Sequence, residues 1–168
     1  MHLLVIRHGI AEDRDVFGRV GDTDDKRPLT DEGRKKMARG ASGLHALVPA
    51  LDLIATSPLV RAQQTAAIVA GAYGIAVGET TSTLEPDAPL AAFVKWAATQ
   101  DARDVLAIVG HEPHLSTLVT WLLTGVDDSR IVLKKGGACL LEFADRPQRA
   151  HGVLHWLHTP AGLRLMAR

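Results

Sequence analysis

The stretch Leu3-Leu4-Val5-Ile6-Arg7-His8-Gly9, near the start of the chain, carries the clearest indication of the fold. Its four apolar residues form a continuous run, which is typical of a strand buried on both faces, as in a parallel sheet. Polar residues and a glycine follow at once, at the strand end where α/β sheets place their binding sites. We therefore predict a central strand that leads directly into a functional Arg7-His8-Gly9 turn.

Strand-like and helix-like segments alternate through the first two thirds of the chain, and two further strand-like runs follow. Short apolar runs predict the strands, and apolar residues at helical spacing predict the helices. The further strands are expected at 51–55, 105–109, 138–143 and 153–158, with a short edge strand within 77–89, and the helices at 30–48, 58–73, 90–100 and 114–124. Ser57 is expected to cap the second helix, with Pro58 at its first position. The pattern predicts one domain over residues 1–168, a three-layer α/β/α sandwich with a mainly parallel central sheet.

Composition argues against several classes of protein. The 168 residues include 19 basic and 19 acidic ones, so bulk charge would not attract nucleic acid or a membrane. Cys139 is the only cysteine, which excludes an intrachain disulfide and a zinc site of several thiolates. The N-terminal apolar run is too short for a signal peptide, and no segment has the apolar length that crosses a bilayer. We therefore expect a cytoplasmic protein without nucleic-acid or membrane partners.

Three predicted strand ends carry the residues of chemical interest. Arg7 and His8 follow the first strand, Arg61 lies in the helix after the second, and His111 follows the strand at 105–109. If these strands are parallel and adjacent, the four side chains meet near helix N-termini, which attract anions. Because arginine keeps its charge and can bind two oxygens at once, the set predicts a phosphate site.

His8 is the candidate nucleophile towards such a phosphate. A neutral imidazole has a ring lone pair available for phosphorus, and the nearby arginine charges disfavour its protonation. A protonated His111 would donate to the phosphate oxygens as charge develops in the transition state. We therefore assign catalytic and phosphate-binding roles to Arg7, His8, Arg61 and His111.

At these residues the chain resembles the histidine phosphatase superfamily, also called the phosphoglycerate-mutase-like family, and within it the small SixA-type phosphohistidine phosphatases. The resemblance extends from residue 3 to about residue 124. The matching motifs, in the order of that group, are Arg7-His8-Gly9, Arg27-Pro28-Leu29-Thr30 with Gly33, Ser57-Pro58 with Arg61-Ala62 and Gln64-Thr65, and Gly110-His111.

The resemblance implies a phosphatase that needs no metal and no other cofactor. His8 would be phosphorylated in a pocket formed with Arg7, Arg61 and His111, and water would then hydrolyse the phosphohistidine. Larger members carry an acid that protonates the leaving oxygen, and Glu85 lies in the comparable stretch as the candidate general acid. The large insertion of the mutases is absent, and an open site suits a phosphate that is carried on a protein.

The leading hypothesis is the removal of phosphate from phosphohistidine on a phosphotransfer or signalling protein, by a monomeric enzyme. An alkoxide leaves badly and normally needs a general acid. The imidazole of phosphohistidine can be protonated on its other nitrogen and leave neutral, because the reference pKa of histidine is about 6.5. An enzyme without an assigned general acid is therefore at less of a disadvantage in cleaving a P–N bond than in cleaving a P–O bond.

Three alternatives stay open. The first is a phosphomonoesterase for a small phosphorylated metabolite, with Glu85 as its acid. The second is a non-catalytic phosphate-binding module. The third is a metallohydrolase built on His8, His111, Glu112 and Asp13, which ranks last because arginines that face the same hollow would repel a divalent cation.

Other polar residues have simpler explanations. His151, His155 and His158 would share one helical face, as in a metal site, but their surroundings indicate a strand. On a strand, His155 and His158 point to opposite faces, so we predict no metal site there. Arg27 either lines the phosphate site or anchors its loop, and Lys134-Lys135 either guides an acidic partner or belongs to a solvated loop.

Overall fold

The computed structural model describes residues 1–19, 21–100 and 103–167. Over these residues the chain forms six strands and six α-helices. The strands are β1 (His2–Arg7), β2 (Leu53–Thr56), β3 (Glu79–Thr80), β4 (Val105–Gly110), β5 (Ala138–Glu142) and β6 (Val153–His158). The helices are α1 (Arg14–Arg19), α2 (Asp31–Leu47), α3 (Val60–Tyr73), α4 (Leu90–Thr99), α5 (His114–Thr124) and α6 (Pro160–Met166).

The strands form one mixed sheet in the order β3-β2-β4-β1-β5-β6. The pairs β3–β2, β2–β4 and β4–β1 are parallel, whereas β5 and β6 add an antiparallel edge. The four apolar residues of β1 are completely buried, as expected for a central strand. Because β2, β4 and β1 are parallel neighbours, their carboxyl ends meet at one edge of the sheet, as the sequence predicted.

Helices cover both faces of the sheet and enclose two apolar cores. Leu4 and Ile6 of β1 belong to the core shared with α2, α3 and α6. Leu3 and Val5 point to the opposite core, shared with α4 and α5. The three-layer α/β/α prediction is therefore confirmed. None of the helices in the described part of the chain has the length and apolarity required to cross a membrane.

Helix ends follow local sequence signals at several points. The Thr30 hydroxyl accepts a hydrogen bond from the backbone N–H of Gly33 at 2.9 Å and so caps α2. Helices α3 and α5 end at Gly74 and Gly125, whose φ angles of 66° and 81° lie in the left-handed region that favours glycine.

The predicted capping role of Ser57 is wrong. Helix α3 begins at Val60, and no side chain caps its N-terminus. The Ser57 hydroxyl instead lies 2.8 Å from Nε2 of His111. The residues between β2 and α3 therefore form a turn rather than the start of a helix. This turn holds the Ser57 hydroxyl against His111, which follows β4.

Two segments contain structure that the sequence did not predict. The polar stretch 10–28 includes α1 and a 3-10 turn at Asp24–Lys26. Helix α6 follows β6 and buries Leu163 completely against α2 and the first core. Both helices are too short for apolar periodicity to identify them, because seven or fewer residues make at most two turns.

The contact between α2 and α6 depends on a glycine. A Cβ atom at Gly43 would lie 1.9 Å from the carbonyl oxygen of Leu163, whereas one at Gly40 would lie 3.9 Å from Cε of Met37. Both glycines are buried in α2. We expect Gly43→Ala to lower the free energy of unfolding by about 1–3 kcal/mol through overpacking. Gly40→Ala is the matched control and should be neutral or stabilising, because alanine is the better helix former. Urea denaturation that gave equal effects would contradict this packing.

Candidate active site

A hollow of about 450 Å³ opens beyond the carboxyl ends of the parallel strands. All four residues that the sequence assigned to a phosphate site line it. The lining residues are Arg7, His8, Ala11, Glu12, Asp13, Arg14, Arg27, Arg61, Pro86, His111, Glu112 and Lys135. The structure therefore brings the three predicted strand ends together at one place.

His8 follows β1 and is 5% exposed. Its Nδ1 lies 2.7 Å from the carbonyl oxygen of Gly9. A carbonyl only accepts, so Nδ1 carries the hydrogen and Nε2 keeps its lone pair. Burial lowers the pKa of His8 to about 3. The hydrogen bond to Gly9 opposes this shift, and the charges of Arg61, Arg7 and Lys135 add to it. The ring is therefore neutral near pH 7, with Nε2 as its unprotonated atom.

His111 faces His8 with a ring-centroid separation of 5.1 Å. The Ser57 hydroxyl accepts from the N–H of Leu59 at 3.4 Å and can donate its own hydrogen to Nε2 of His111 at 2.8 Å. The hydrogen of the ring then resides on Nδ1, which is buried and has no partner. Burial, followed by the charge of His8, lowers the pKa of His111 to about 2. The ring is therefore neutral rather than protonated as expected, but it retains one N–H to donate.

The two predicted arginines are anchored in a similar way. Arg7 donates through NH1 to the carbonyl oxygen of Leu133 at 2.8 Å. Arg61 donates through NH1 and NH2 to Asp24, at 2.7 Å to its carbonyl oxygen and 3.0 Å to its carboxylate. In both arginines Nε is buried without a partner. Each guanidinium is thus fixed by its terminal nitrogens and leaves an unsatisfied Nε–H in a residue that lines the hollow.

Asp24 organises this group of cations, although no pattern in the sequence indicated that role. One carboxylate oxygen accepts from Nε of Arg27 at 2.8 Å and from Nε of Arg14 at 3.2 Å, and the other accepts from Arg61. Partial burial raises the pKa of Asp24, but the hydrogen bond from Arg27 and the charges of the three arginines lower it more, so the pKa lies below its usual value. Arg27 is 6% exposed, so it both lines the hollow and anchors the loop.

Glu85 does not join the other predicted residues. It lies on a neighbouring depression together with Ser82 and Pro89, and only the adjacent Pro86 lines both. The carboxylate that does line the hollow at the end of β4 is Glu112, which the sequence suggested only as a metal ligand. Of the two lysines left open, Lys135 lines the hollow, and Lys134 is exposed outside it.

A possible metal-ligand group lies elsewhere in the described part of the chain. His2, Glu142 and His155, on β1, β5 and β6, place one ligand atom each within 4.8 Å of the others. Nε2 of His155 donates a hydrogen bond to the Glu142 carboxylate at 2.6 Å. His2 is at the opposite end of β1 from His8, so this group is separate from the hollow.

Residues 3–89 match the family model of the histidine phosphatase superfamily, branch 1. The chain belongs to this superfamily. An uncharacterized protein of Picosynechococcus sp. is 36% identical over 155 residues, which cover 90% of each chain. The structure of the protein histidine phosphatase SixA complexed with tungstate is 22% identical, with a TM-score of 0.81 over 97% of this chain and 99% of that one. The alpha-ribazole phosphatase from Shigella flexneri is 19% identical, with a TM-score of 0.73 over 95% and 97%.

The phosphoglycerate-mutase-like fold expected from the sequence is therefore confirmed, together with membership of a superfamily of phosphatases. One of the two structural relatives is named a protein histidine phosphatase, and the other is named an alpha-ribazole phosphatase. One fold supports different substrates through the residues of its site, so the fold alone does not identify the substrate of this chain.

The contacts of Asp24 lead to a prediction about anion binding. Asp24→Asn removes charge that orients Arg61 and Arg27, and hydrogen bonds to charged groups contribute about 1.5–3 kcal/mol, so we expect tungstate to bind about tenfold or more weakly. Isothermal titration calorimetry measures this directly. Asp25→Asn removes the same charge from an exposed neighbour in the same turn and should not weaken binding. Tighter binding in Asp24→Asn would show that the Asp24 carboxylate competes with the anion.

Proposed function

We propose that this chain removes phosphate from phosphohistidine on a signalling or phosphotransfer protein, through a phosphohistidine intermediate on His8. The observation that carries the proposal is a set of three buried, unpaired donors in residues that line the hollow with neutral His8. These donors are Nε of Arg7, Nε of Arg61 and, in the tautomer in which Ser57 donates to Nε2, Nδ1 of His111. Buried donors normally have partners, and a phosphoryl group supplies three oxygens that complete them.

In the first step, Nε2 of His8 forms a bond to phosphorus and the P–N bond of the substrate breaks. The electron pair of that bond stays on the leaving imidazole, which departs neutral when its other nitrogen carries a proton. The donors of Arg7, Arg61 and His111 hold the phosphoryl oxygens as charge builds on them. Water then attacks phosphorus, the pair of the new P–N bond returns to His8, and phosphate is released.

The surface around the hollow supports a substrate that is carried on a protein. A second hollow of about 180 Å³ lies beside Gly9 and shares Lys135 with the first. Lys36 and Arg164 also line it, with Met37 among its apolar residues. Because the whole chain has no net charge, these cations concentrate positive potential at the site and would attract an acidic or phosphorylated protein surface. We propose that the enzyme acts as a monomer in the cytoplasm, where such partners are available.

A phosphomonoesterase for a small metabolite is the second candidate function. The position of Glu112 favours it, because a carboxyl group in the hollow could assist the departure of an alkoxide. The two candidates share the nucleophile and differ in the leaving group. They can therefore be separated by comparing substrates on the same protein.

The test measures phosphate release from a histidine-phosphorylated phosphotransfer protein and, separately, from an aryl phosphate, with chelator present throughout. We expect rapid release from the phosphoprotein by the wild type and a loss of at least 10³-fold in His8→Ala, because the covalent step is removed. His151→Ala, which removes an exposed imidazole away from the hollow, is the matched control and should keep full activity.

Other outcomes would contradict part of the proposal. Release from the aryl phosphate alone, still dependent on His8, would keep the mechanism and move the substrate to small esters. If neither substrate showed His8-dependent release, the chain would be a phosphate-binding module rather than a phosphatase.

A further inference from the structure

We infer that Glu112 is the proton donor to the leaving group, in the role that the sequence suggested for Glu85. This inference rests on the proposed phosphatase reaction and adds the residue that extends it to P–O esters. Four observations support it: the position of the carboxyl group, its hydrogen bonding, its electrostatic surroundings, and the unsuitability of the other carboxylates near the hollow.

The position and hydrogen bonding of Glu112 leave one oxygen available. Glu112 directly follows His111 after β4 and lines the hollow with His8 and Arg7. Its Oε2 accepts a hydrogen bond from the Ser116 hydroxyl at 2.5 Å. Its Oε1 is buried and has no hydrogen-bond partner. The carboxyl group is therefore fixed through one oxygen, while the other is free to carry and release a proton.

The surroundings of Glu112 favour its protonated form. Burial raises its pKa, against the opposing hydrogen bond from Ser116 and the charge of Arg7. The groups that act on it are Arg7 of β1 and Ser116 of α5. On the β5 side, burial and the charge of Glu112 raise the pKa of the Cys139 thiol to about 12. A phosphate dianion that enters the same hollow adds negative charge and raises the pKa of Glu112 further. A protonated Oε1 would then be a hydrogen-bond donor for the leaving group of a bound substrate.

The other carboxylates at or near the hollow are less suited to this role. Glu12 also lines the hollow, but its side chain is exposed and, among the described residues, no hydrogen bond fixes its carboxylate. Asp13 accepts hydrogen bonds from the backbone N–H groups of Asp15 and Val16 at 2.9 and 3.0 Å, and these bonds lower its pKa. Asp24 is held ionised by Arg27 and its neighbours. Glu85 lies on the neighbouring depression.

A purely structural role explains only part of the geometry of Glu112. The residue precedes the first turn of α5, where an acidic side chain stabilises a helix by interacting with its N-terminus. The bond between Oε2 and Ser116 satisfies that role. A cap on an exposed helix end would leave its second oxygen in water, whereas Oε1 is buried in a residue that lines the hollow.

During hydrolysis of an ester, Glu112 gives one proton to the leaving group and regains one from water. Nε2 of His8 bonds to phosphorus, the P–O bond to the leaving group breaks, and its electron pair stays on the leaving oxygen. The proton on Oε1 of Glu112 moves to that oxygen, which leaves as an alcohol. In the second step the Glu112 carboxylate takes a proton from water, whose oxygen bonds to phosphorus. The P–N pair returns to His8, so phosphate is released and the acid is regenerated.

The experiment measures phosphoenzyme formation by rapid quench on two esters, an alkyl phosphate and an activated aryl phosphate. Glu112→Gln keeps the shape of the side chain and an oxygen for Ser116, but it cannot donate an acidic proton. We expect a loss of about 10²-fold or more on the alkyl ester, which needs the acid, and less than about tenfold on the aryl ester. Glu85→Gln is the matched control, with a similar and small effect on both esters. Ser116→Ala reports the contribution of the helix cap to stability.

Several results would overturn the inference while leaving the proposed function intact. Equal losses on both esters in Glu112→Gln would reduce Glu112 to a structural role. A leaving-group-dependent loss in Glu85→Gln would return the role to Glu85. Wild-type turnover of the aryl ester without the alkyl ester would show that no effective acid is present. The proposed reaction at His8 fails if His8→Ala keeps the activity of the wild type, and this variant is measured in parallel. The proposed substrate is tested separately, on the histidine-phosphorylated protein.

Discussion

Three guanidinium groups, from Arg7, Arg27 and Arg61, share one hollow with two histidines, and the burial of these like charges is the constraint on which the site depends. Like charges repel strongly where water is scarce, so each group must be held by fixed acceptors. The carboxylate of Asp24 pairs with two of the arginines, and a backbone carbonyl holds Arg7. The remaining donors are left unsatisfied, which gives the folded chain a binding site organised in advance for a multiply charged anion.

The fold supplies this constraint through neighbouring parallel strands and a few hydrogen bonds across them. The hydroxyl of Thr65 accepts from the N–H of Gly9 at 3.0 Å, and it donates to the carbonyl oxygen of Arg61 at 2.7 Å. The side chain of Gln64 accepts from the N–H of Leu29 at 2.8 Å and so ties the polar loop to α3. A single turn of α3 therefore fixes the residue after the candidate nucleophile, one of its arginines and the loop that carries Asp24.

The features that depend on local patterns could be predicted from the sequence. The apolar run of β1, the glycines that end α3 and α5, and the meeting of Arg7, His8, Arg61 and His111 all follow from periodicity and sheet topology. Features that depend on three-dimensional placement could not. Asp24 is one acid among several in a polar loop, and only the fold shows which one reaches the arginines.

The two glutamates illustrate the same limit for the candidate acid. Glu85 was suggested by its position along the chain, yet the turn that contains it directs it to the next depression. Glu112 was visible beside His111, but its unpaired oxygen is apparent only once α5 and β5 are packed around it. The prediction that His111 is protonated was wrong for a related reason. Burial has the largest effect on the pKa of His111, and the sequence does not show how deeply the side chain is buried.

Every step of the proposed reaction depends on transfer of the phosphoryl group to Nε2 of His8. The most direct measurement is to mix the enzyme with a histidine-phosphorylated protein, quench within milliseconds at alkaline pH, and locate the acid-labile phosphate by mass spectrometry and phosphorus–proton NMR. We expect phosphate on His8, attached at Nε2, that forms and decays at rates compatible with turnover. Turnover without a phosphoenzyme, or with phosphate on a different residue or on Nδ1 of His8, would contradict the proposed reaction.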